Sequence, residues 1–368
     1  MNRPSFQTGT PLDLVVDALL AASEALLASL PQWLALGVAL ALACALGALG
    51  LHLGAARAVA RRRRRHARWE PLLLDVLAGD APPGALEQDV APGETTDFLQ
   101  MLVRYALRVD GEARETLAAV AAPFLPASRA LLRSHRADRR ALGVHLLGIL
   151  GHRGYRPLLV EALRDRSPGV AMGAARALAR TADLSVLPDL VASLDRFTTW
   201  GTPAVTSMLA RFGLRAGHLL ALRLADPGAP ESVRVACAET LRRLGYVPAD
   251  AVVDALLHPG AATPREVRTA LLRLVAEIGT SGMAPLVRRH VTDPDPVVRL
   301  HALSALGALG DPFRDAELLL DTLDDPDSWA ALRAAHALAR LGRRDLLRRA
   351  AATDDTRGRL ARQTLAAA

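Results

Sequence analysis

The sequence predicts an all-α protein in which one membrane-spanning helix precedes a long stack of helix pairs. Residues 33–56 form an apolar segment without a formal charge, longer than the roughly 20 residues that cross a bilayer as a helix. Downstream, a pattern that ends in glycine returns every 31 to 34 residues. A period of this length is typical of stacked helical repeats.

The charges beside the apolar segment predict its orientation. Five consecutive arginines follow it (Arg61, Arg62, Arg63, Arg64 and Arg65), whereas one arginine and three acidic residues precede it. The positive-inside rule then places the N-terminus outside and the rest of the chain in the cytoplasm. Trp33 and Trp69 bracket the span and its basic flank, which is typical of anchoring at the membrane interface. A cleaved signal peptide would instead carry its positive charge before a shorter apolar run.

These features divide the chain into five parts. They are an extracytoplasmic segment (1–32) with an amphipathic helix at 12–30, the membrane helix (33–56), a basic collar (57–68), a helical connector (69–112) and the repeat domain (113–368). Within the connector, helices are expected at 72–79 and 95–109. The pattern leaves open whether the helix at 12–30 enters the bilayer.

Composition and charge exclude several classes of protein. Of the 368 residues, 51% are hydrophobic and 4% aromatic, so Ala and Leu must supply the core and low-complexity disorder is excluded. Two cysteines in different surroundings do not form a disulfide framework. The net charge of +7 equals the seven arginines of the basic collar. The remainder is balanced, which argues against a nucleic-acid-binding domain.

Seven repeat units can be aligned on their last residue. The closing residues are Gly151, Ala182, Gly213, Gly245, Gly279, Gly310 and Gly342. Four positions earlier every unit has a large aliphatic residue, and eight positions earlier most have a small one, which makes one apolar stripe on a helix. A closing glycine favours a left-handed helix end, and turns such as 293–296 (DPDP) and 325–328 (DPDS) predict an Asp or Ser cap with Pro near the helix start.

Each unit also contains an earlier apolar helix, as at 155–164 and 284–292. Every unit is therefore expected to be a pair of helices. A degenerate pair is predicted before the first unit, around 113–135.

Two segments resemble HEAT repeats of the short bacterial type, which are similar to those of phycobilin lyases. They are residues 293–310 (DPDPVVRLHALSALGALG) and 230–245 (PESVRVACAETLRRLG). The resemblance covers about 113–350 and implies a right-handed α-solenoid. It also implies that Asp293 and Arg299 belong to a structural ladder between repeats. The layout is similar to bacterial inner-membrane proteins encoded beside membrane glycosyltransferases.

No motif for catalysis, a cofactor or a metal is found. HEAT-repeat hydroxylases of the deoxyhypusine type hold iron with His-Glu dipeptides, and this sequence has none. A chain without Lys contains no phosphate-binding P-loop, and no G-x-S-x-G occurs. Cys237 has no companion for a zinc site and fits the small-residue column of the core. We therefore predict no enzyme, no catalytic residue, no cofactor and no metal.

Two columns of the second helices are polar and four residues apart, hence on one helix face. We call their ten charged or histidine members the polar ladder: His145, Arg176, Arg180, Arg211, Glu239, Arg243, Arg273, Glu277, His336 and Arg340. In HEAT solenoids the second helices line the concave surface, so the resemblance implies an inner groove, whose surplus of arginine favours an acidic partner. The alternative is a solubilising face held by i, i+4 pairs between Glu239 and Arg243 and between Arg273 and Glu277.

The function predicted from these features is a membrane-anchored scaffold or adaptor that binds a protein partner on the concave face. The partner would be a membrane glycosyltransferase or another envelope complex. The alternatives are a tetrapyrrole-handling protein like the phycobilin lyases and a nucleic-acid-binding HEAT protein. Trp200 and Trp329, at the turns between helices, are expected to be packing residues.

Overall fold

The computed structural model describes residues 11–151, 153–258 and 260–367, and among the side chains before residue 40 only that of Leu19. Every regular element in this part of the chain is an α-helix or a 3-10 helix. The chain divides into two compact units between Asp89 and Val90, which splits the predicted connector. Residues 1–10 of the predicted extracytoplasmic segment lie outside the described residues.

The first unit is dominated by one long helix, α1 (Pro11–Ala78). It replaces the three separate helices expected at 12–30, 33–56 and 72–79. Within it, the stretch Leu40–Ala78 is long and apolar enough to cross a membrane. The side chains from Leu40 to Ala60 are all exposed. A core helix of a soluble protein would instead bury such a surface.

The C-terminal part of α1 packs against the 3-10 helix Pro83–Leu86. Trp69 is fully buried there, and its indole N–H donates to the carbonyl oxygen of Asp89 at 3.3 Å. Arg68 donates to the same oxygen at 2.7 Å. Trp69 is therefore a packing residue, which corrects its expected place at the membrane interface. Of Trp33, only the backbone is described.

The second unit consists of short helices. They are α2 (Thr95–Ala106), α3 (Glu112–Ala121), α4 (Leu125–Leu132), α5 (Ala137–Leu150), α6 (Arg156–Ala162), α7 (Pro168–Thr181), α8 (Leu187–Ala192), α9 (Thr202–Leu209), α10 (Gly217–Ala225), α11 (Glu231–Leu244), α12 (Asp250–Leu257), α13 (Arg265–Ile278), α14 (Ala284–Arg288), α15 (Pro296–Leu309), α16 (Ala316–Asp321), α17 (Ser328–Arg340), α18 (Arg344–Ala350) and α19 (Thr356–Ala367).

From α4 onward, even-numbered helices are the first and odd-numbered helices the second members of successive units. Each second helix contacts the next, from α5 through α19, which makes this part of the chain a continuous stack.

The pair α18–α19 is an eighth repeat unit that the alignment on closing residues missed, because its closing position would fall beyond residue 368. The predicted degenerate pair at 113–135 is corrected as well, since α4 packs on α5 as the first helix of unit one. α2 and α3 precede that unit and contact α5.

The closing residues end their helices in two different ways. Gly245 (φ 61°) and Ala182 (φ 49°) adopt the predicted left-handed conformation. Gly151, Gly279 and Gly310 have φ between −66° and −72°, so a left-handed end is wrong for these three. Glycine is required there for another reason, because a Cβ would overlap the carbonyl oxygen four residues earlier.

The Asp-Pro turns start the second helices largely as predicted. Asp295 accepts from the backbone N–H of Val297, and Asp327 accepts from those of Trp329 and Ala330. Ser167 precedes α7 without a capping hydrogen bond from its side chain.

Three partly buried ion pairs join successive units: Arg140 to Asp165 at 2.7 Å, Arg268 to Asp293 at 2.8 Å and Arg299 to Asp325 at 2.8 Å. In each, an arginine of one second helix reaches the aspartate of the turn before the next. The aspartate also accepts a backbone N–H two residues on, at 2.8 to 3.0 Å. The ladder that the resemblance implied is confirmed, with Asp293 and Arg299 in consecutive rungs.

The ladder is interrupted where the sequence lacks its residues. α7 has Ala171 at the arginine position, and Arg234 of α11 is buried and donates to the carbonyl oxygen of Leu224 at 3.0 Å. The turn aspartate Asp226 pairs instead with Arg223, which also pairs with Asp195.

Close packing between second helices predicts the cost of one added methyl group. A Cβ at Gly307 of α15 would lie 2.8 Å from the Cα of Ala337 on α17. We expect Gly307→Ala to lower the free energy of unfolding by about 1–3 kcal/mol, although Ala is more favourable than Gly in a helix by about 1 kcal/mol. Denaturant unfolding followed by circular dichroism measures the change.

Gly173→Ala on α7 is the matched control, because a Cβ there meets only Val144 at an ordinary 3.6 Å. This control is expected to be neutral or slightly stabilising. Equal stabilisation by both substitutions would show that the approach of α15 to α17 does not require glycine.

Candidate binding surface

The polar ladder lies on successive second helices and is accessible to solvent. His145 is on α5, Arg176 and Arg180 on α7, Glu239 and Arg243 on α11, Arg273 and Glu277 on α13, and His336 and Arg340 on α17. Arg211 belongs to the 3-10 helix Ala210–Ala216 that follows α9. All ten side chains are exposed or half-buried.

Hydrogen bonds connect neighbouring second helices along this surface. Arg211 Nε donates to the carbonyl oxygen of Ala179 at 3.2 Å, and Arg243 Nη1 donates to Ser207 Oγ at 3.1 Å. Arg273 Nε donates to Glu239 Oε1 at 2.7 Å. The structure therefore brings the ladder residues from α7 to α13 into one continuous surface.

The i, i+4 pairs of the solubility interpretation do not form. Glu239 pairs with Arg242, three residues on, at 2.9 Å, and across the helix interface with Arg273 at 2.6 Å. Arg243 turns to Ser207 instead, and Glu277 forms no ion pair with any described residue. Among the described residues, the one ladder carboxylate in an ion pair therefore pairs both within its own helix and across to the next unit.

Four arginines converge on one cavity at the α7 end of the ladder. We call it the arginine cavity, and its volume is about 530 Å³. It is lined by Arg114, Arg176, Ala179, Arg180, Ala204, Ser207, Met208 and Arg211. No carboxylate is among these residues. Arg114 belongs to α3, outside the repeat columns, so the alignment of repeats had no signal for it.

The electrostatics of the arginine cavity are those of crowded positive charge. Arg180 is half-buried, and burial, followed by the charges of Arg114 and Arg211, lowers its pKa. Its Nε is buried and has no hydrogen-bond partner among the described residues. Partial burial of the ring and the charge of Arg180 lower the pKa of His145 as well.

A second cavity, of about 440 Å³, shares Ser207 with the first and carries both signs of charge. Its charged lining residues are Glu239, Glu266, Arg242, Arg243 and Arg273. The ladder thus changes along its length, from wholly positive at α7 to mixed at α11 and α13. His336 and Arg340 lie apart, because α15 has Ser304 and Ala308 at the ladder positions.

The two tryptophans at the turns differ from each other. The ring of Trp200 is half-buried and lies beneath the guanidinium of Arg176, 5.3 Å from its Cζ. Trp200 Nε1 is buried without a partner among the described residues. Trp329, in the first turn of α17, is 67% exposed, so the expectation that it is a packing residue is wrong.

Cys237 is a core residue. Its side chain is buried on α11, and burial raises the pKa of the thiol to about 12. A thiol with such a pKa is protonated and unreactive at neutral pH. In the described part of the chain no group of His, Cys, Asp and Glu is suited to hold a metal.

Comparison with known proteins identifies the repeats. A family model for HEAT repeats matches residues 125–200, 261–339 and 291–366. No curated protein matches the chain.

Among solved structures, the chain is similar to Kap121p, with a TM-score of 0.40 and 14% identity over 76% of this chain and 42% of Kap121p. For Kap121p bound to Ste12p the TM-score is 0.41, with 14% identity over 80% of this chain and 43% of the other. An engineered protein gives a TM-score of 0.39 and 19% identity, over 80% of this chain and 93% of its own. The chain spans less than half the length of Kap121p.

Proposed function

Because this chain is a HEAT-repeat protein, we propose that its second unit is a scaffold that binds an acidic segment of a protein partner along the polar ladder. Stacked repeats present extended surfaces suited to long segments of a partner. One observation carries the proposal. Of the six ladder arginines, only Arg273 forms an ion pair with a described residue.

The succession of unpaired arginines along the ladder suits a run of carboxylates in an extended partner segment. Arg176, Arg180, Arg211 and Arg243 follow one another from α7 to α11, each without an ion pair to a described residue. A guanidinium binds a carboxylate with two parallel hydrogen bonds. Successive arginines would therefore engage successive acidic residues, and charge complementarity would also speed the encounter.

The long apolar helix supports the second part of the proposal, a single-pass anchor in the bacterial inner membrane. Its side chains from Leu40 to Ala60 are exposed, and the exposed Arg61, Arg62, Arg63 and Arg64 follow at once. By the positive-inside rule the N-terminus is outside and the HEAT unit in the cytoplasm. A partner in the same membrane, such as a glycosyltransferase or another envelope complex, would meet the ladder at a raised effective concentration.

The test is co-purification of the full chain from native membranes in a mild detergent, with bound proteins quantified by mass spectrometry. We expect the variant with Arg176, Arg180, Arg211 and Arg243 all replaced by Glu to lose its partner at least tenfold. Like charges would then face the acidic segment, and such juxtaposition costs several kcal/mol.

The matched control replaces four exposed arginines on or beside first helices: Arg129, Arg289, Arg348 and Arg349. It changes the net charge by the same amount and is expected to retain the partner. Equal retention by both variants would refute the ladder as the binding surface.

A further inference from the structure

We infer that the arginine cavity is a binding site for the diphosphate group of a small molecule. The cavity is bounded by α3, α7, α9 and the 3-10 helix after α9. Its volume of about 530 Å³ falls in the range of small-molecule sites, roughly 300–1,000 Å³. Its four cationic groups are Arg114, Arg176, Arg180 and Arg211.

Four positive charges in one cavity repel one another. Like charges this close raise the energy of the empty site, and partial burial reduces the screening by solvent. Arg180 is the most affected, because its partial burial, followed by the charges of Arg114 and Arg211, lowers its pKa. An anion that reaches all four groups would remove this repulsion.

Three of the four guanidiniums are held in place before any ligand arrives. Arg114 Nη1 donates to the carbonyl oxygen of Ala106 at 3.0 Å, and Arg211 Nε donates to that of Ala179 at 3.2 Å. Arg176 lies over the ring of Trp200. Each contact uses only part of the guanidinium, which has five N–H donors. The remaining donors are oriented in advance, which lowers the entropic cost of binding.

Charge and donor count favour a diphosphate over a carboxylate or a single phosphate. A carboxylate satisfies one guanidinium with two hydrogen bonds. One phosphate group carries about −1.5 to −2 at pH 7, about half the positive charge of the cavity. Two linked phosphates approach charge balance and offer acceptors to all four arginines. Ser207 Oγ, which accepts from Arg243, retains its own O–H as a further donor.

This inference does not depend on the proposed function. Arg176, Arg180 and Arg211 are shared with the polar ladder, but Arg114 lines only the cavity. Arg114→Gln therefore tests the diphosphate site, and the partner is expected to co-purify with this variant as with the wild type.

The experiment is isothermal titration of the full chain in nonionic detergent with pyrophosphate at constant ionic strength. Inorganic phosphate and citrate are the comparison anions. We expect saturable binding of one pyrophosphate, weakened at least tenfold by Arg114→Gln and by Arg180→Gln. Arg340→Gln is the control, since it removes a ladder arginine outside the cavity and is expected to bind like the wild type. The basic collar is identical in all four proteins, so anion binding there cancels in the comparison.

Two results would overturn the inference. Unchanged pyrophosphate binding in both cavity variants would assign the anion to another surface, such as the collar. Binding of phosphate or citrate as tight as that of pyrophosphate would remove the specificity for a diphosphate. Arg114 also holds the end of α2, so a thermal unfolding curve is recorded for each variant. Arg180→Gln breaks no hydrogen bond to a described residue, so a loss of binding in this variant would not be explained by unfolding of α2.

Discussion

Replacing Asp325 with Ala is expected to lower the free energy of unfolding by about 3–5 kcal/mol. Asp325 accepts two hydrogen bonds from Arg299, both at 2.8 Å, and the two side chains are only 8% and 14% exposed. The substitution leaves the guanidinium of Arg299 in the interface between two units without its counter-charge. It also removes the acceptor for the backbone N–H of Asp327. Denaturant unfolding of the full chain in detergent gives the difference.

The neighbouring residue offers a matched control. Asp324 pairs with Arg357 at 3.1 Å, but its side chain is 60% exposed. Asp324→Ala is expected to cost less than about 1 kcal/mol, as exposed ion pairs do. Adding Arg299→Met to Asp325→Ala should recover part of the loss, because no uncompensated charge then remains. If Asp325→Ala costs no more than Asp324→Ala, the ion pairs between aspartates of the turns and arginines of the second helices do not stabilise the contact between units.

The periodicity predicted the stack well because the features that build it are local. A second helix needs its apolar stripe, its Asp-Pro start and its small residues at fixed distances along the chain. Most second helices repeat several of these features, so alignment reveals them without any knowledge of the third dimension. The eighth pair, α18–α19, has helices of the same kind, but the alignment relied on closing residues and did not include it.

The candidate site was harder to predict because it depends on contacts between helices. The spacing of Glu239 and Arg243 favours an i, i+4 pair, yet Glu239 pairs with Arg273 on the next second helix. Arg114 is 62 positions from Arg176, and only the packing of α3 beside the stack brings it to the same cavity. Rules that depend on spacing along one helix do not contain this information.

The charge balance of the whole chain also gave no indication of the arginine cavity. Outside the basic collar, acidic and basic residues are equal in number, which argued against a nucleic-acid-binding domain. Many of the aspartates are used inside the fold, however, as at Asp165, Asp293 and Asp325. Of the six arginines in the polar ladder, only Arg273 pairs with a carboxylate among the described residues, so a balanced chain presents a positive cavity.

Acidification is expected to destabilise the second unit through His301. This residue is half-buried on α15, and burial, followed by the charges of Arg273 and Arg333, lowers its pKa from 6.5 to about 4, despite the opposing effect of Glu239. Between these values the unfolded chain binds a proton that the folded chain does not bind. The free energy of unfolding should therefore fall as the pH is lowered through this window, by about 2 kcal/mol between pH 7.5 and 5.

Urea unfolding of the full chain at a series of pH values measures this dependence. His301→Gln removes the titrating group, so its stability should vary less over the same range, by an amount close to the contribution of His301. Arg333→Gln retains the histidine but removes one neighbouring charge, which raises the pKa of His301 towards 6.5 and gives an intermediate slope. A wild-type slope in His301→Gln would contradict the assignment. It would place the pH sensitivity on groups other than His301. Asp165 is not one of them, because its hydrogen bond from Arg140 lowers its pKa from 3.8, below this window.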